Sequence, residues 1–288
     1  MRAVAVGNFD GVHRGHAHLI NLLKIEAASR GLAPAVITFR NHPLSLVSPN
    51  AVPASLTPAG MRKVLLERLG VEVILLDFTP ELRVMTAGEF LNYISGRFQV
   101  KLMLMGFNNH IGSDCLDALD PDLQAAAARE GIEIVTAPEL GDEGVSSSAV
   151  RAALADGDVE MASSLLGRPY AIEGRVVYGR QLGRTIGFPT ANISPDPGVA
   201  IPSAGVYLCT ISGHRAVVNI GNRPTVDRRV DAPLSIEAHL LDFSGDLYGR
   251  NLTLEFYSRL RDEKRFGSLE ELKSAIARDV RMAYERDI

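Results

Sequence analysis

His13 and His16 are bracketed by glycines at a point where a short apolar run gives way to a helical pattern. The apolar run covers residues 3–6, and the segment after it, which we name the first motif, reads Gly7-Asn8-Phe9-Asp10-Gly11-Val12-His13-Arg14-Gly15-His16. Where a helix begins, free backbone N–H groups and the positive end of the helix dipole attract phosphate. Glycine permits close approach of the backbone to a ligand, and histidine donates hydrogen bonds to phosphate oxygens. The first motif therefore predicts a phosphate site.

A metal half-site and a chance pair at a helix start are the alternatives for His13 and His16. Zinc would need further ligands, and the chain's two cysteines, Cys115 and Cys209, have no CxxC or HxxxH neighbour. Two cysteines in 288 residues also indicate a reducing compartment without a disulfide framework. We therefore expect no zinc site.

Three further segments of the first half are candidates for the same site. They are Phe39-Arg40-Asn41-His42-Pro43, Gly106-Phe107-Asn108-Asn109-His110-Ile111-Gly112 and Val145-Ser146-Ser147-Ser148-Ala149-Val150-Arg151. Serines at a helix N-terminus cap N–H groups and can reach a phosphate. An arginine one turn further into the helix can donate two charge-assisted hydrogen bonds to the same phosphate. Taken alone, each segment is also compatible with an ordinary loop or helix cap.

The first motif resembles that of the nucleotidyltransferase superfamily, in the form found in bacterial bifunctional riboflavin kinase/FAD synthetases. The resemblance implies adenylyl transfer, in which the FMN phosphate attacks the α-phosphorus of ATP and pyrophosphate leaves without a covalent intermediate. It implies that His13, His16 and Arg151 stabilise the transition state and that His42 contacts flavin. The residues of this half that it implies for ATP binding are Gly7, Phe9, Asp10, Gly15, Asn108, Ser146, Ser147 and Ser148.

The first half departs from this family's pattern at several positions. Asn41 stands in place of a proline, Asn109 and Ile111 replace two aromatic residues, and the basic stretch expected before Ser113 is absent. Aromatic faces suit flavin stacking. One alternative is therefore a riboflavin kinase whose first half binds nucleotide but adenylates weakly. A non-enzymatic flavin-binding protein and a nucleotidyltransferase for another small molecule are further alternatives.

The second half contains a second motif, Gly183-Arg184-Thr185-Ile186-Gly187-Phe188-Pro189-Thr190-Ala191-Asn192, which resembles the riboflavin kinase signature. The resemblance implies ATP-dependent phosphorylation of riboflavin, with Glu237 as the general base on the ribityl hydroxyl. It implies ATP binding by Gly183, Gly187, Pro189, Thr190 and Asn192, the last two also holding Mg²⁺. Residues 218–225 and 260–270 resemble other family segments, and the second implies flavin contacts of Arg261 and Glu263. His239 is expected to be structural.

Alternating apolar runs and helical patterns in the first half predict a Rossmann-like α/β domain with a parallel sheet. The predicted strands are 3–6, 35–39, 73–77, 100–105 and 132–135, and the predicted helices are 16–28, 61–69, 87–97 and 121–129. A helical pair at 149–155 and 158–166 follows. Short strands from Tyr170 onward predict a mainly-β barrel, closed by a terminal helix that Ser268 caps. We place the boundary near residue 168, between an FMN adenylyltransferase domain, 1–168, and a riboflavin kinase domain, 169–288.

Composition excludes several other classes. The hydrophobic fraction of 46% and charged fraction of 22% are typical of a soluble globular protein. A net charge of −4 argues against a general nucleic-acid binder. No signal peptide and no apolar run of about 18 residues is visible, so we expect a cytoplasmic protein that contacts no membrane. The expected ligands are ATP, riboflavin, FMN and FAD, with Mg²⁺ accompanying ATP and no permanently bound cofactor or obligatory protein partner.

Overall fold

The computed structural model describes residues 1–288 except 107–108, 139–140, 142–143, 180–182, 184–185 and 223–233. The chain divides into two compact units, Met1–Ser146 and Ser147–Ile288. Among the residues described, no helix is both long enough and apolar enough to cross a membrane. The boundary of the functional domains near residue 168 stays a prediction.

A parallel sheet forms the centre of the first unit. Its strands are β1 (Arg2–Val6), β2 (Ala33–Phe39), β3 (Glu72–Leu76), β4 (Val100–Gly106) and β7 (Glu133–Ala137), in the order β3-β2-β1-β4-β7. The helices around it are α1 (Arg14–Ser29), α2 (Ala59–Arg68), α3 (Pro80–Val84), α4 (Ala87–Phe98) and α5 (Pro121–Glu130). All neighbouring strands run parallel. The predicted Rossmann-like fold with a parallel sheet is confirmed.

The strand order creates a place for a ligand at the ends of β1 and β4. These two strands are neighbours in the sheet. From β1 the chain continues to β2 on one side, and from β4 it continues to β7 on the other side. In open parallel sheets, ligands bind outside the carboxyl ends of the strands at such a switch point. Val4 and Ala5 of β1 are fully buried, which explains the continuous apolar run because both faces of this sheet are covered.

A small hairpin and a short helix add to the predicted elements of the first unit. The hairpin pairs β5 (His110–Ile111) with β6 (Leu116–Asp117) in antiparallel register. Strands of two residues and the single turn of α3 are too short to show a hydrophobic period, so sequence analysis did not predict them.

A closed barrel forms most of the second unit. Its strands are β8 (Tyr170–Val177), β9 (Ala191–Pro195), β10 (Gly205–Ile211), β11 (His214–Asn222), β12 (Leu234–Leu240) and β13 (Asn251–Arg261), in the order β10-β11-β12-β9-β8-β13. Buried residues alternate with more exposed ones along β8 and β13, because successive side chains of a strand point to opposite faces. The predicted barrel is confirmed.

Two predictions about the barrel strands need correction. Sequence analysis did not predict β9, whose residues include Asn192 and Pro195 and lack the alternation of a typical strand. The residue types of Gly221-Asn222 predict a turn, and this prediction is wrong because the two residues pair with Ser235 and Leu234 on β12.

Helices of the described residues that complete the second unit are α6 (Ser147–Asp156), α7 (Val159–Leu166) and α8 (Leu269–Glu285). The guanidinium of Arg259 on β13 donates to the carbonyl oxygen of Asp156 over 2.9 Å, which ties the end of α6 to the barrel. Ser268 caps α8 as predicted, since its hydroxyl accepts a hydrogen bond from the Glu271 backbone N–H at 3.2 Å. The Glu271 carboxylate in turn accepts from the Gly267 N–H at 3.1 Å.

Candidate active sites

The imidazoles of His13 and His16 lie stacked at the start of α1. Their ring centroids are 3.6 Å apart and the rings are inclined by 18°. His13 is the N-cap residue, and its Nδ1 accepts from the His16 backbone N–H at 3.3 Å. The His16 Nδ1 accepts from the His13 N–H, also at 3.3 Å. The two histidines therefore form a reciprocal cap at the carboxyl end of β1, where sequence analysis predicted a phosphate site.

The turn that precedes His13 holds an unusual backbone conformation. Phe9 and Val12 have φ angles of 50° and 44°, in the left-handed region that bulky and β-branched residues rarely adopt. Both side chains are buried in the core of the first unit, and the Val12 N–H donates to the Phe9 carbonyl at 3.0 Å. Packing and this hydrogen bond keep the strained turn in place, as is common at functional sites.

Gly15 lies directly beneath the His13 ring. A Cβ atom at this position would be 3.2 Å from Nδ1 and Cε1 of His13, tighter than ordinary van der Waals contact. Gly7 continues the sheet, since its N–H donates to the Ile37 carbonyl at 3.1 Å. The glycines predicted to approach ATP thus also have local structural roles, and their contact with ATP stays a prediction.

Asp10 points into the first unit. Only 4% of it is exposed, and its carboxylate accepts from the N–H groups of Leu56 and Thr57 at 3.1 and 3.0 Å. The hydroxyl of Ser55 donates to the same carboxylate at 3.3 Å. These contacts connect the first motif to residues 55–57.

His42 lies after β2, the neighbour of β1. It caps a short 3-10 helix, Pro43–Leu46, through a hydrogen bond from the Leu44 N–H to its Nδ1 at 3.1 Å. Asn41, which stands in place of a family proline, pairs with both backbone groups of Phe78: its Oδ1 accepts from the N–H at 2.8 Å and its Nδ2 donates to the carbonyl at 2.9 Å. The structure thus brings His42 and the first motif to the ends of adjacent strands.

The segment after β4 is described only in part, and the predicted ATP contact Asn108 lies outside the described residues. Ile111 packs against the core cluster beside the sheet. Gly112, with φ at +78°, lies so close to α4 that a Cβ atom would be 2.2 Å from the Ala87 nitrogen. Asp114 accepts from the same Ala87 N–H at 2.8 Å. The hairpin is therefore anchored on the start of α4.

The serine cluster is located at a helix start, as predicted. Ser146 ends the first unit, and α6 begins at Ser147. Ser148 lies in the first turn of this helix, and Arg151 follows one turn later. The structure confirms the helix start, while the contacts of these side chains with ATP stay predictions.

In the barrel, Glu237 of β12 is flanked by two asparagines. It lies directly opposite Asn192 of β9 and Asn219 of β11 in the antiparallel registers. Opposed residues of antiparallel strands project from the same face, whereas Ile236 and Ala238 are buried inside the barrel. Glu237 and Asn192, the predicted base and one predicted magnesium ligand, therefore share the outer face of adjacent strands.

A tight turn and a histidine position the second motif. The Gly183 carbonyl accepts from the Phe188 N–H at 2.8 Å, and a Cβ at Gly183 would lie 2.2 Å from the Phe188 carbonyl oxygen. His239 Nδ1 is hydrogen-bonded to the Pro189 carbonyl at 2.8 Å, and its ring lies edge-on to Phe188. These contacts support the structural role predicted for His239. Arg184 and Thr185 lie outside the described residues.

A cavity of about 710 Å³ lies next to the second motif. Its walls are Val176 of β8, Ala238 and Leu240 of β12, residues 189–191 and the loop of residues 243–248. The ring of Tyr248 from this loop stacks on the exposed ring of Tyr178, with centroids 4.1 Å apart. Sequence analysis did not single out this loop, because its central Ser244-Gly245-Asp246 also fits an ordinary turn.

Arg261 and Glu263 border the outer face of the barrel. The Arg261 guanidinium forms a fork with the buried carboxylate of Asp279 on α8, at 2.8 and 2.9 Å, and lies over the Phe266 ring. A Cβ at Gly221 would be 2.0 Å from a Glu263 carboxylate oxygen, so Glu263 lies against β11. The structure thus places Glu263 near Asn219, whereas Arg261 is engaged by α8. Their flavin contacts stay predictions.

In the described part of the chain, no group of three or more His, Cys, Asp or Glu side chains is arranged to hold a metal ion. The hydroxyl of Thr190 and the side-chain oxygen of Asn192 are hard donors of the kind that Mg²⁺ prefers. The donor chemistry of Thr190 and Asn192 is therefore compatible with Mg²⁺, and their role as its ligands stays a prediction.

Comparisons with known proteins identify the class of each half. Residues 1–150 match the family model of FAD synthetase, and residues 166–286 match that of riboflavin kinase. A solved structure, described as a macrolide-efflux protein from Streptococcus pneumoniae, has the same fold, with a TM-score of 0.88 and 31% identity over 99% of this chain and 95% of that chain.

Curated relatives contain both halves in one chain. The bifunctional riboflavin kinase/FMN adenylyltransferase of Pseudomonas fluorescens is 40% identical over 96% of this chain and 90% of its own length. That of Escherichia coli K12 is 40% identical over 98% of this chain and 91% of its own length. The chain belongs to the bifunctional riboflavin kinase/FMN adenylyltransferase family and is an enzyme with both activities. Nothing in these matches favours a kinase with an impaired first half.

Proposed function

We propose that Glu237 is the general base of the kinase reaction. Its carboxylate takes the proton of the ribityl 5′-hydroxyl as this oxygen attacks the γ-phosphorus of ATP, so that FMN forms and ADP leaves. A base must lie within hydrogen-bond reach of its hydroxyl. On the outer face of the barrel Glu237 is partly exposed, and Asn192 and Asn219 lie opposite it in register, which supports access for a substrate.

The nucleoside of the kinase ATP is proposed to occupy the cavity beside the second motif. Its volume of about 710 Å³ falls in the range of small-molecule sites. Tyr248 lines this cavity and is stacked on Tyr178, and aromatic faces suit a purine ring. Thr190 and Asn192 would hold Mg²⁺, which when bound offsets the negative charge of the phosphates.

For adenylyl transfer we propose a site at the carboxyl ends of β1 and its two neighbours in the sheet, β2 and β4. An FMN phosphate oxygen forms a bond to the α-phosphorus of ATP, and the bond to pyrophosphate breaks. No side chain needs to act as a nucleophile, because positioning and charge stabilisation lower the barrier. Because Nδ1 of each stacked histidine accepts a hydrogen bond, the neutral rings carry their protons on Nε2, from which they donate to phosphate oxygens. His42 contacts the flavin, and the transition-state role of Arg151 rests on the family resemblance alone.

The strongest support for the kinase assignments is the direct pairing of Glu237 with Asn192 on adjacent strands. This register brings the proposed base next to a proposed ligand of Mg²⁺ and ATP. The test is to incubate the full chain with riboflavin, ATP and Mg²⁺ and to separate the flavins by chromatography. We expect FMN to appear first and FAD to follow. FMN without FAD would overturn the transferase assignments, and unchanged riboflavin would overturn the kinase assignments. A parallel incubation with FMN in place of riboflavin tests the transferase assignments independently of the kinase, and a lack of FAD there would overturn them.

A further inference from the structure

Arg62 of α2 is a buried cation inside the first unit. Only 4% of it is exposed, and its guanidinium donates from Nη2 to the backbone carbonyl of Phe39, the last residue of β2. Its Nε has no hydrogen-bond partner among the described residues. A buried charge is costly unless an opposite charge compensates it, so an anion is expected close to Arg62.

Asp10 of the first motif, itself only 4% exposed, is held by the backbone of the segment that leads directly into α2, the helix that carries Arg62. Burial lowers the pKa of Arg62, and the negative charge of Asp10 opposes this shift. The same carboxylate accepts the hydrogen bonds from residues 55–57. A buried carboxylate with these partners would repel a phosphate rather than bind it, so Asp10 is better suited to a positioning role than to the ATP contact that the resemblance implied.

The hydrogen bonds of Asp10 and of Arg62 lie at the roots of the two site loops. Asp10 precedes His13 by three residues in the turn after β1, and Phe39 precedes His42 by three residues in the loop after β2. The parallel ladder between β1 and β2 reaches Val6 and Ile37, and the Thr38 hydroxyl bonds to the Asn8 carbonyl just beyond it at 3.0 Å. Past that point, the start of α2 and the residues before it join the two loops, because Leu56 and Thr57 donate to Asp10 and Arg62 donates to the Phe39 carbonyl.

We propose that Arg62, together with Asp10, is a positioning residue for adenylyl transfer. It fixes the strained turn of residues 9–12 relative to the loop of residues 40–43, so that His13, His16 and His42 meet ATP and FMN in one geometry. Arg62 itself is buried and touches no substrate. This role rests on the adenylyl transfer proposed above for the first unit.

The test uses the full chain supplied with FMN, ATP and Mg²⁺, with FAD formation as the readout. The variants are Arg62→Met, Arg62→Lys, Asp10→Asn and the double variant Asp10→Asn/Arg62→Met. Arg68→Met, which removes an exposed arginine of the same helix, is the matched control. Rates are measured well below the unfolding midpoint of each variant, where a loss of stability alone leaves kcat unchanged.

We expect Arg62→Met to lower kcat for FAD formation by about 100-fold, the scale of a misplacement near 1 Å. Phosphorylation of riboflavin and the Arg68→Met control should match the unaltered chain. The double variant should lose less than the product of the two single losses, because both residues hold the same junction and their effects are therefore coupled. Arg62→Lys, which retains the charge but loses the planar fork, should fold and lose about 10-fold in kcat.

Three results would overturn the role of Arg62. One is a kcat of Arg62→Lys equal to that of the unaltered chain. Another is a loss of kcat in the double variant equal to the product of the two single losses. The third is an Asp10→Asn variant in which only the KM for ATP changes, as expected of a residue that contacts ATP. A complete absence of FAD formation by the unaltered chain would instead overturn the transferase function itself, and the positioning role with it.

Discussion

The imidazole rings of His13 and His16 stack at 3.6 Å while the Nδ1 of each accepts a hydrogen bond from the backbone N–H of the other residue. This reciprocal cap fixes both rings and directs the N–H of each neutral ring to Nε2. The helix start is thereby both a structural cap and a pair of preoriented donors, which electrostatic stabilisation of a transition state requires.

Replacing His16 with alanine removes one donor and half of the cap. We predict that His16→Ala lowers the kcat of FAD formation from supplied FMN by about 100- to 1,000-fold, as for other lost transition-state donors. Riboflavin phosphorylation should continue unchanged. His18→Ala, two residues further along α1, is the control, and the two activities are followed by flavin chromatography. Continued FAD formation by His16→Ala would remove His16 from the site.

Glu237→Gln tests the base in the barrel. The amide retains the shape of the side chain but cannot accept the hydroxyl proton, so FMN formation should fall by about 100- to 10,000-fold. FAD formation from supplied FMN should persist. Glu173→Gln, at an exposed position of β8, should keep both activities. Normal FMN formation by Glu237→Gln would contradict the assignment.

Much of the fold and part of the candidate sites could be predicted from sequence because the signals are local. The buried strands of the parallel sheet are apolar runs, and the first motif lies at one strand end. The partners of Asp10, in contrast, follow it by 45 to 47 residues along the chain, and Asn41 pairs with Phe78 at a separation of 37 residues. Contacts of this kind depend on the tertiary fold, so neither the buried role of Asp10 nor that of Arg62 could be read from spacing.

Gly112→Ala should destabilise the first unit. The new Cβ would lie 2.2 Å from the Ala87 nitrogen and the residue would keep a φ of +78°, so overpacking and backbone strain together should cost about 3 kcal/mol. Gly96→Ala is the matched control, because that glycine lies within α4 with no atom within 4 Å of its added Cβ. Urea unfolding of the full chain, monitored by loss of FAD formation, measures the difference. Equal midpoints for the two variants would contradict the close packing of the hairpin on α4.

Asp279→Asn tests the link between α8 and the end of β13. Asp279 is 2% exposed and its carboxylate accepts two branches of the Arg261 guanidinium. Losing these charge-assisted hydrogen bonds should lower the free energy of unfolding by about 1–3 kcal/mol. The Arg261 side chain is 28% exposed, so water solvates part of its charge and limits the loss. Asp287→Asn, in the exposed tail, should change nothing. If the variants unfold alike in urea, the fork does not stabilise α8.

Asn41→Asp probes how the loop that carries His42 is held. The carboxylate still accepts from the Phe78 N–H but loses the donor and brings a negative charge to the Phe78 carbonyl. We predict that FAD formation falls mainly because the KM for FMN rises by about 10-fold. This rise corresponds to about 1.4 kcal/mol for the hydrogen bond that is replaced by a repulsive contact. Riboflavin phosphorylation should be unchanged. Asn50→Asp adds the same charge at an exposed position of the same connection and should leave the KM unaltered. Equal KM values for the two variants would show that the Asn41 amide does not position the flavin side of the site, whereas a rise confined to Asn41→Asp would tie this loop to FMN binding.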